Sequence, residues 1–240
     1  MVKPRFVHKY PHYDFKLHRA LHHATDGNPK QLEAPYYEVY NLMLNDLILD
    51  ERDYSCCPQG VLLVHMEEVR RKKPEIVKRF PDFIIYHERG NEVEGDVWGT
   101  RLVAFIAEIK PWRFKTGDVS DRDVISNHFN RQEFLLQVRD HAMMIMEKQG
   151  TPGPVWLMQC VGMFWRTGKV KDNKNLAPFS KDRRFAKGRK SRDVPIFDVQ
   201  WGPIQKVGEE ISDEEQYKFW QEMSNTVEYV LFMFFDFPTF

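Results

Sequence analysis

Residues 102–110 read LVAFIAEIK, an apolar run that ends in two charged side chains, Glu108 and Lys110. Its β-branched and aromatic residues predict a buried strand. Because side chains at positions i and i+2 of a strand lie on one face, Glu108 and Lys110 are expected together, with Ile109 on the opposite face. Two charges on one face at the end of an apolar strand indicate a functional site.

A second strand is predicted just upstream, over the aromatic and β-branched residues 83–86. Residues 90–99 are rich in turn formers, so the two strands are expected to form a β-hairpin. Asp82, preceded by Pro81, begins the first strand. Its carboxylate can approach Glu108 across the hairpin if the register permits.

Asp82 and Glu108 would then form a pair of hard oxygen ligands. Mg²⁺ and Mn²⁺ suit such a pair, because these cations combine one or two carboxylates with water and substrate phosphate oxygens. A lysine beside them, Lys110, could orient an attacking water or stabilise charge on a phosphate. The predicted cofactor is therefore Mg²⁺ or Mn²⁺.

Hydrophobic periodicity and turn residues predict the other elements. Helices are expected from Pro35, over residues 131–148 and from the Ser212-Asp213-Glu214-Glu215 capping pattern. Further strands are expected at 61–64, 155–165 and 196–201, with loops at 56–60, 111–127 and 166–192. Residues 1–30 are expected to form an N-terminal arm with at most one helical turn near residues 17–22. The prediction is one α/β domain, residues 31–240, with a central mixed β-sheet flanked by α-helices.

Pro81-Asp82, followed after 25 residues by Glu108-Ile109-Lys110, resembles the signature of the PD-(D/E)XK nuclease superfamily. The resemblance spans roughly residues 35–165 and includes the order of the elements. It implies a single restriction-endonuclease-like domain. It also implies hydrolysis of nucleic-acid phosphodiester bonds, with DNA somewhat favoured over RNA.

The resemblance also implies roles for individual residues. Asp82 and Glu108 would bind the metal, with Ile109 as a further metal-binding position between the two charged residues. Glu38, an acid on the preceding helix, would complete the metal site. Lys110 would position the attacking water.

Some branches, similar to the RecB and lambda-exonuclease types, carry a glutamine on the helix after the lysine strand. Gln137 is placed like it and is predicted to support catalysis. Those branches usually have tyrosine four residues further on, where this chain has His141. Viral cap-snatching endonucleases, similar in fold, add a metal-binding histidine. Which N-terminal histidine could do so stays open among His8, His12, His18, His22 and His23.

Residues 166–192 contain eleven Lys or Arg against two acids, in a chain whose 35 basic and 35 acidic residues cancel. This excess is typical of a loop that contacts nucleic-acid phosphates with salt-sensitive affinity. A solvated loop or a nuclear import signal over 181–190 are the alternatives. The predicted nucleic-acid-binding residues are Lys181, Arg183, Arg184, Lys187, Arg189 and Lys190.

Composition excludes several classes of protein. The three cysteines lack CxxC spacing, which argues against a structural zinc site or a disulfide framework. The charged N-terminus does not resemble a signal peptide, and the longest apolar run, 229–235, is too short to span a bilayer. We therefore expect an intracellular protein, nuclear or cytoplasmic and not secreted, with no membrane partner and an oligomeric state that the sequence leaves open.

Two alternatives to a nuclease remain. The chain could be a catalytically inactive nucleic-acid-binding module on the same fold, which would bind in a salt-dependent way without metal-dependent cleavage. It could also be a protein-interaction domain whose many aromatic residues form core and interface, in which case neither metal nor nucleic acid should bind.

Overall fold

The computed structural model describes residues 8–49, 51, 53–66, 75–93, 96–112, 122–149, 154–170 and 199–235. The helices are α1 (Tyr13–Ala24), α2 (Ala34–Ile48), α3 (Arg122–Phe129), α4 (Gln132–Gln149) and α5 (Glu210–Phe235). The strands are β1 (Tyr54–Pro58), β2 (Leu62–Met66), β3 (Glu75–Arg79), β4 (Phe83–Val93), β5 (Asp96–Lys110), β6 (Val155–Val161), β7 (Phe164–Val170), β8 (Val199–Trp201) and β9 (Gln205–Lys206).

Seven of these strands form one sheet in the order β1-β4-β5-β6-β7-β8, with β9 also paired to β7. The β5–β6 pair is parallel and the other pairs of this sheet are antiparallel, so the sheet is mixed. Strands β2 and β3 pair separately. The predicted α/β class with a central mixed sheet is confirmed. None of the described helices is both long and apolar enough to cross a membrane.

Helices cover both faces of the central sheet. On one face, Phe219 of α5 packs edge-on against Phe105 of β5, with ring centroids 5.3 Å apart. On the other face, Gln137 of α4 contacts Glu108 of the same strand. Phe105 and Glu108 are three residues apart and therefore lie on opposite faces. The core residues of β5 are buried because both layers exclude water from them.

The β4–β5 hairpin has the register that brings the acids together. Phe83 pairs with Ala107 in the antiparallel ladder, so Asp82 lies opposite Glu108. A bulge between Ile85 and Tyr86 interrupts the register only further along the hairpin. The predicted hairpin is confirmed, although its strands extend through most of residues 90–99, which turn formers had assigned to a loop.

The apolar run at 155–165, predicted as one strand, is two antiparallel strands joined at Gly162. Gly162 has a φ of 58°, and an added Cβ would lie 2.7 Å from the Cβ of Trp112. Its N–H donates to the carbonyl of Lys110 at 2.9 Å. The prediction missed this turn because both strands are buried and only Gly162 and Met163 separate them.

The N-terminal arm was predicted to have at most one helical turn, and this is wrong, because residues 13–24 form a helix of three turns. Tyr13, Leu17, Ala20 and Ala24 recur at helical spacing and are buried in the core. Their pattern was obscured by the charged and histidine side chains on the exposed side of the helix. This helix packs against α2.

Three segments predicted as loops contain regular structure. Residues 54–58 form the edge strand β1, residues 122–129 form α3, and residues 166–170 complete β7. The side chains of β1 are mostly half-buried on both faces, so its sequence shows little alternation of apolar and polar residues. Short elements of this kind carry little periodic signal.

The last helix begins at Glu210, two residues before the predicted capping pattern. Ser212 is fully buried, and its hydroxyl accepts a hydrogen bond from the indole N–H of Trp165 at 2.9 Å. The serine therefore connects α5 to the sheet instead of capping the helix. The prediction was wrong because a tertiary partner competes for the same hydroxyl.

Candidate functional site

Asp82 is held in place by two donors. The backbone N–H of Ile109 donates to its Oδ2 at 2.6 Å. The hydroxyl of Tyr37, on α2, donates to the other oxygen, Oδ1. Because the side chain is buried as well, its carboxylate is fixed at the start of β4, next to the end of β5.

Glu108 is fully buried, and its Oε2 accepts a hydrogen bond from Nε2 of Gln137 at 2.7 Å. Burial raises the pKa of Glu108 well above its ordinary value, and the nearby charge of Asp82 raises it further, against the opposing effect of Lys110. Two carboxyl groups held together away from water repel each other when both are ionised. Such a pair takes up a proton or a cation.

His141 lies beside the other Glu108 oxygen, Oε1. Its Nδ1 lies 2.6 Å from Oε1, although the two atoms are not aligned as a hydrogen bond. Two lone pairs do not approach so closely, so one proton belongs to this contact. Burial favours the neutral form of both groups, because it raises the pKa of the Glu108 carboxyl and lowers the pKa of His141 to about 4.

Lys110 lies at the exposed side of the carboxylates. Its Nζ is 3.8 Å from Oε2 of Glu108, and about one third of its side chain is exposed, 33%. The ring of Phe134 lies 5.7 Å from the amine. The lysine therefore contacts both the buried acid and solvent, where a ligand could reach it.

Glu38 is not brought to this cluster. Its side chain is 58% exposed, and its Oε2 lies 3.8 Å from Nδ1 of His23. One residue is a rotation of about 100° around a helix, so the face that carries Tyr37 toward Asp82 directs Glu38 elsewhere. The expectation that Glu38 completes the metal site is not supported by its position.

The acid that α2 does bring near the cluster is Glu33, at the start of the helix. Its Oε1 lies 3.2 Å from the hydroxyl oxygen of Tyr37, whose single proton is shared between this acid and Asp82. Its charge also contributes to the raised pKa of Glu108. Glu33 and Tyr37 are four residues apart and share one face of the helix, which is the signal that could have found them.

Ile109 can contribute to metal binding only through its main chain. Its side chain is fully buried, as the alternation along β5 predicts. Its N–H is already bonded to Asp82. Any metal contact at this position would use the carbonyl oxygen.

The N-terminal histidines with described contacts pair with other acids. His8 lies between Asp46 and Asp213, at 2.9 and 3.3 Å. His22 contacts Asp26 at 3.0 Å. The histidine beside Glu108 is His141, which stands where the related nuclease branches usually have tyrosine. It lies four residues after Gln137, so both side chains are on one face of α4.

The predicted nucleic-acid-binding residues Lys181, Arg183, Arg184, Lys187, Arg189 and Lys190 lie outside the described residues. The first part of the basic segment is described and does not form a loop. Arg166 is buried in β7, and Lys169 places its amine 4.4 Å from the centre of the Trp156 ring. These two cations therefore belong to the sheet.

No protein-family model matches the chain, and no curated protein matches it. Within the described ranges, no group of three or more His, Cys, Asp or Glu side chains is arranged to hold a metal. The cluster thus offers two neighbouring carboxylates, a lysine and an amide. Its interpretation depends on their geometry and chemistry.

Proposed function

We propose that the chain is a divalent-metal-dependent nuclease that hydrolyses nucleic-acid phosphodiester bonds, with DNA somewhat favoured over RNA. The observation that carries this proposal is the position of Asp82 opposite Glu108, with the amine of Lys110 3.8 Å from the Glu108 carboxylate. Two acids and a lysine at one end of the paired strands β4 and β5 are residue types suited to metal-assisted phosphodiester hydrolysis.

The finer fold assignment, a restriction-endonuclease-like domain of the PD-(D/E)XK type, is part of the same proposal. The order α2, β4–β5 hairpin, α4 and β6, with β6 parallel to β5, supports it. So does the position of the acids at the ends of the hairpin strands. Fold alone would not establish activity, which depends on the site.

Asp82 and Glu108 would hold Mg²⁺ or Mn²⁺. The donor set fits such a cation, because two buried carboxylates repel each other and these metals prefer hard oxygen ligands. When bound, the cation lowers the pKa of a water and offsets charge on the phosphate. The carbonyl of Ile109 is the main-chain oxygen proposed to assist.

The other residues have separate tasks in this proposal. Lys110 directs its amine toward the carboxylates from the exposed side, where it orients the attacking water and stabilises phosphate charge. Gln137 holds Glu108 in one rotamer, and Tyr37 does the same for Asp82. Fixed carboxylates avoid reorganisation when substrate binds.

The basic residues Lys181, Arg183, Arg184, Lys187, Arg189 and Lys190 are proposed to contact the phosphate backbone. Neutralising six phosphates in duplex DNA would give a slope of about −5 in a plot of log affinity against log salt. Replacing Lys187 and Arg189 with Gln should reduce the size of that slope by about 2. An unchanged slope would remove these two residues from the binding surface.

One observation favours a catalytically inactive nucleic-acid-binding module instead. Both oxygens of Asp82 accept hydrogen bonds from the chain, and both oxygens of Glu108 have close protein neighbours. A cluster in which three of the four carboxylate oxygens accept hydrogen bonds from the chain could persist without metal. The inactive module predicts salt-dependent binding and no metal-dependent product.

Cleavage assays separate these functions. Labelled single-stranded and double-stranded DNA and RNA would be incubated with Mn²⁺, Mg²⁺ or EDTA, with wild type beside Lys110→Met. Lys218→Met is the matched control, because it removes an equal charge from an exposed side chain on α5. We expect metal-dependent product that falls about 100-fold or more in Lys110→Met.

The control variant should cleave at the wild-type rate. If folded wild type yields no product on any substrate but binds nucleic acid, the inactive module replaces the nuclease. If it binds neither metal nor nucleic acid, a protein-interaction domain becomes the better interpretation.

A further inference from the structure

Glu108 is one end of a polar row that crosses three strands. It pairs in register with Gln159 of β6, and Gln159 pairs with Arg166 of β7. Register partners on neighbouring strands project to the same face, so these three side chains lie side by side. Glu108 and Gln159 are fully buried, and Arg166 is 6% exposed. We call these three residues the polar row.

Arg166 is held firmly at the far end of the row. Its Nε donates to Oε1 of Gln159 at 2.9 Å. Its Nη2 donates to the carbonyl of Phe129 at 3.0 Å and to Oδ1 of Asn130 at 3.1 Å. The guanidinium also lies over the ring of Trp201, 4.3 Å from its centre. Both the position and the orientation of the guanidinium are therefore fixed.

The charge of Arg166 is retained although it is buried. Burial lowers the pKa of the guanidinium to about 10, which leaves it protonated at neutral pH. Among the residues that the structure describes, no carboxylate lies within ion-pair distance of it. Along the row, the acid that this charge faces is Glu108, with Gln159 between them.

Arg166 decides how the amide of Gln159 is oriented. An arginine can only donate, so Gln159 must present its oxygen to β7. On the side of β5 the register partner of Gln159 is Glu108, so the other end of the amide, Nε2, is the donor left to serve that acid. That nitrogen is buried and has no hydrogen-bond partner among the residues that the structure describes. An unpaired buried donor is unfavourable to folding, so its presence at this position requires an explanation.

We propose that Gln159 and Arg166 are positioning residues for Glu108: Arg166 fixes the amide of Gln159 so that its Nε2 donates to the Glu108 carboxylate when that carboxylate holds a cation. The inference rests on the proposed function, because it concerns the metal-bound state of that site. Glu108 then has donors on two sides, Gln137 from α4 and Gln159 from β6. Outer hydrogen bonds of this kind orient the ligands of metal sites and strengthen metal binding.

The test measures Mn²⁺ affinity by calorimetry for wild type, Gln159→Met, Arg166→Met and Arg166→Lys. We expect the Kd for Mn²⁺ to rise about tenfold or more in both methionine variants, and less in Arg166→Lys, which keeps the charge and a donor. Cleavage rates at saturating Mn²⁺ should stay within about twofold of wild type, because the defect lies in metal binding. Merely structural damage would instead lower the maximal rate.

A double variant tests whether the two residues act as one unit. If Arg166 acts through Gln159, the double methionine variant should bind Mn²⁺ about as weakly as either single variant. Lys206→Met is the matched control, since it removes one positive charge from β9, beside β7. Its Mn²⁺ affinity should equal that of wild type.

Gln159→Met keeps the test decisive if Arg166→Met does not fold, because Arg166 retains its bonds to Phe129 and Asn130. Wild-type Mn²⁺ affinity in Gln159→Met overturns the positioning role and leaves the nuclease proposal intact. Wild type that neither binds Mn²⁺ nor cleaves overturns both.

Discussion

The backbone N–H of Ile109 donates to Oδ2 of Asp82 at 2.6 Å, which joins the end of β5 to the residue that precedes β4. The carboxylate is therefore both a proposed metal ligand and the acceptor for a buried main-chain donor. The two tasks can be separated by substitution, because only one of them requires a negative charge.

Asp82→Asn should keep the fold and lose cleavage, whereas Asp82→Ala should lose both stability and cleavage. An asparagine oxygen can still accept from Ile109, but alanine leaves that N–H unpaired at a cost of about 1–3 kcal/mol. Urea denaturation followed by circular dichroism measures the free energy of unfolding. Equal stability of the two variants would show that the Asp82–Ile109 bond is not needed.

Glu108→Gln should make the metal-free protein more stable at pH 8. Burial raises the pKa of Glu108 above its ordinary 4.5, so ionisation above that pH opposes folding and the free energy of unfolding falls as pH rises. Glutamine avoids this charge, and its amide can serve Gln137 and His141. We expect Tm in EDTA to rise by about 2–6 °C.

Mn²⁺ supplies the control for the Glu108 variant. The cation should raise the Tm of wild type, because a ligand that binds only the folded state stabilises it. It should have little effect on Glu108→Gln. A lower Tm for the variant in EDTA would mean that Glu108 stabilises the fold.

Glu33→Gln and Glu38→Gln each remove one acid from the start of α2, but only Glu33 connects to the cluster through Tyr37. At limiting Mn²⁺ we expect cleavage to slow about tenfold in Glu33→Gln, since outer-shell groups tune metal affinity. Glu38→Gln should retain wild-type rates at every Mn²⁺ concentration. The reverse order would restore Glu38 as the third acid of the site.

Stability should also fall between pH 6.5 and 9 because of His8. Burial lowers the pKa of His8, but its hydrogen bonds and charge interactions with Asp213 and Asp46 outweigh burial and raise the pKa to about 9. A raised pKa gives stability that is complete below 6.5 and lost as pH passes through 9. Since the imidazole is partly exposed, the loss should be about 1 kcal/mol at most.

Urea denaturation at pH 6 and pH 9.5 measures this effect. His8→Gln should flatten the decrease, whereas His22→Gln should not, because the pair of His22 and Asp26 is exposed at the end of α1. The same decrease in His8→Gln as in wild type would remove His8 as its source.

The fold class and part of the site were predictable because they depend on local periodicity. The alternation over residues 102–110 separates Glu108 and Lys110 from Ile109, and the spacing in α4 brings Gln137 to the sheet. The structure has both features: Ile109 is buried, and Gln137 contacts Glu108. Period and turn signals also located α2 and the β4–β5 hairpin.

The remaining contacts depend on how distant elements pack. Glu33 reaches the cluster only because α2 places Tyr37 against Asp82, 45 residues away. Gln159 and Arg166 meet because β6 and β7 are two strands, which the continuous apolar run at 155–165 concealed. Local pattern does not report which helix face or strand partner a buried polar side chain will meet.

Gly162 is constrained by the backbone geometry of the fold, whereas Asp82 and Glu108 are constrained by the chemistry proposed for the site. Its positive φ, its closeness to Trp112 and its bond to the carbonyl of Lys110 constrain the backbone, whatever side chain stands at position 110. In an alignment of relatives, glycine here would therefore track the architecture, whereas Asp82 and Glu108 would track the chemistry. Under the proposed function, relatives that keep the glycine but lack both acids would fold without cleaving nucleic acid.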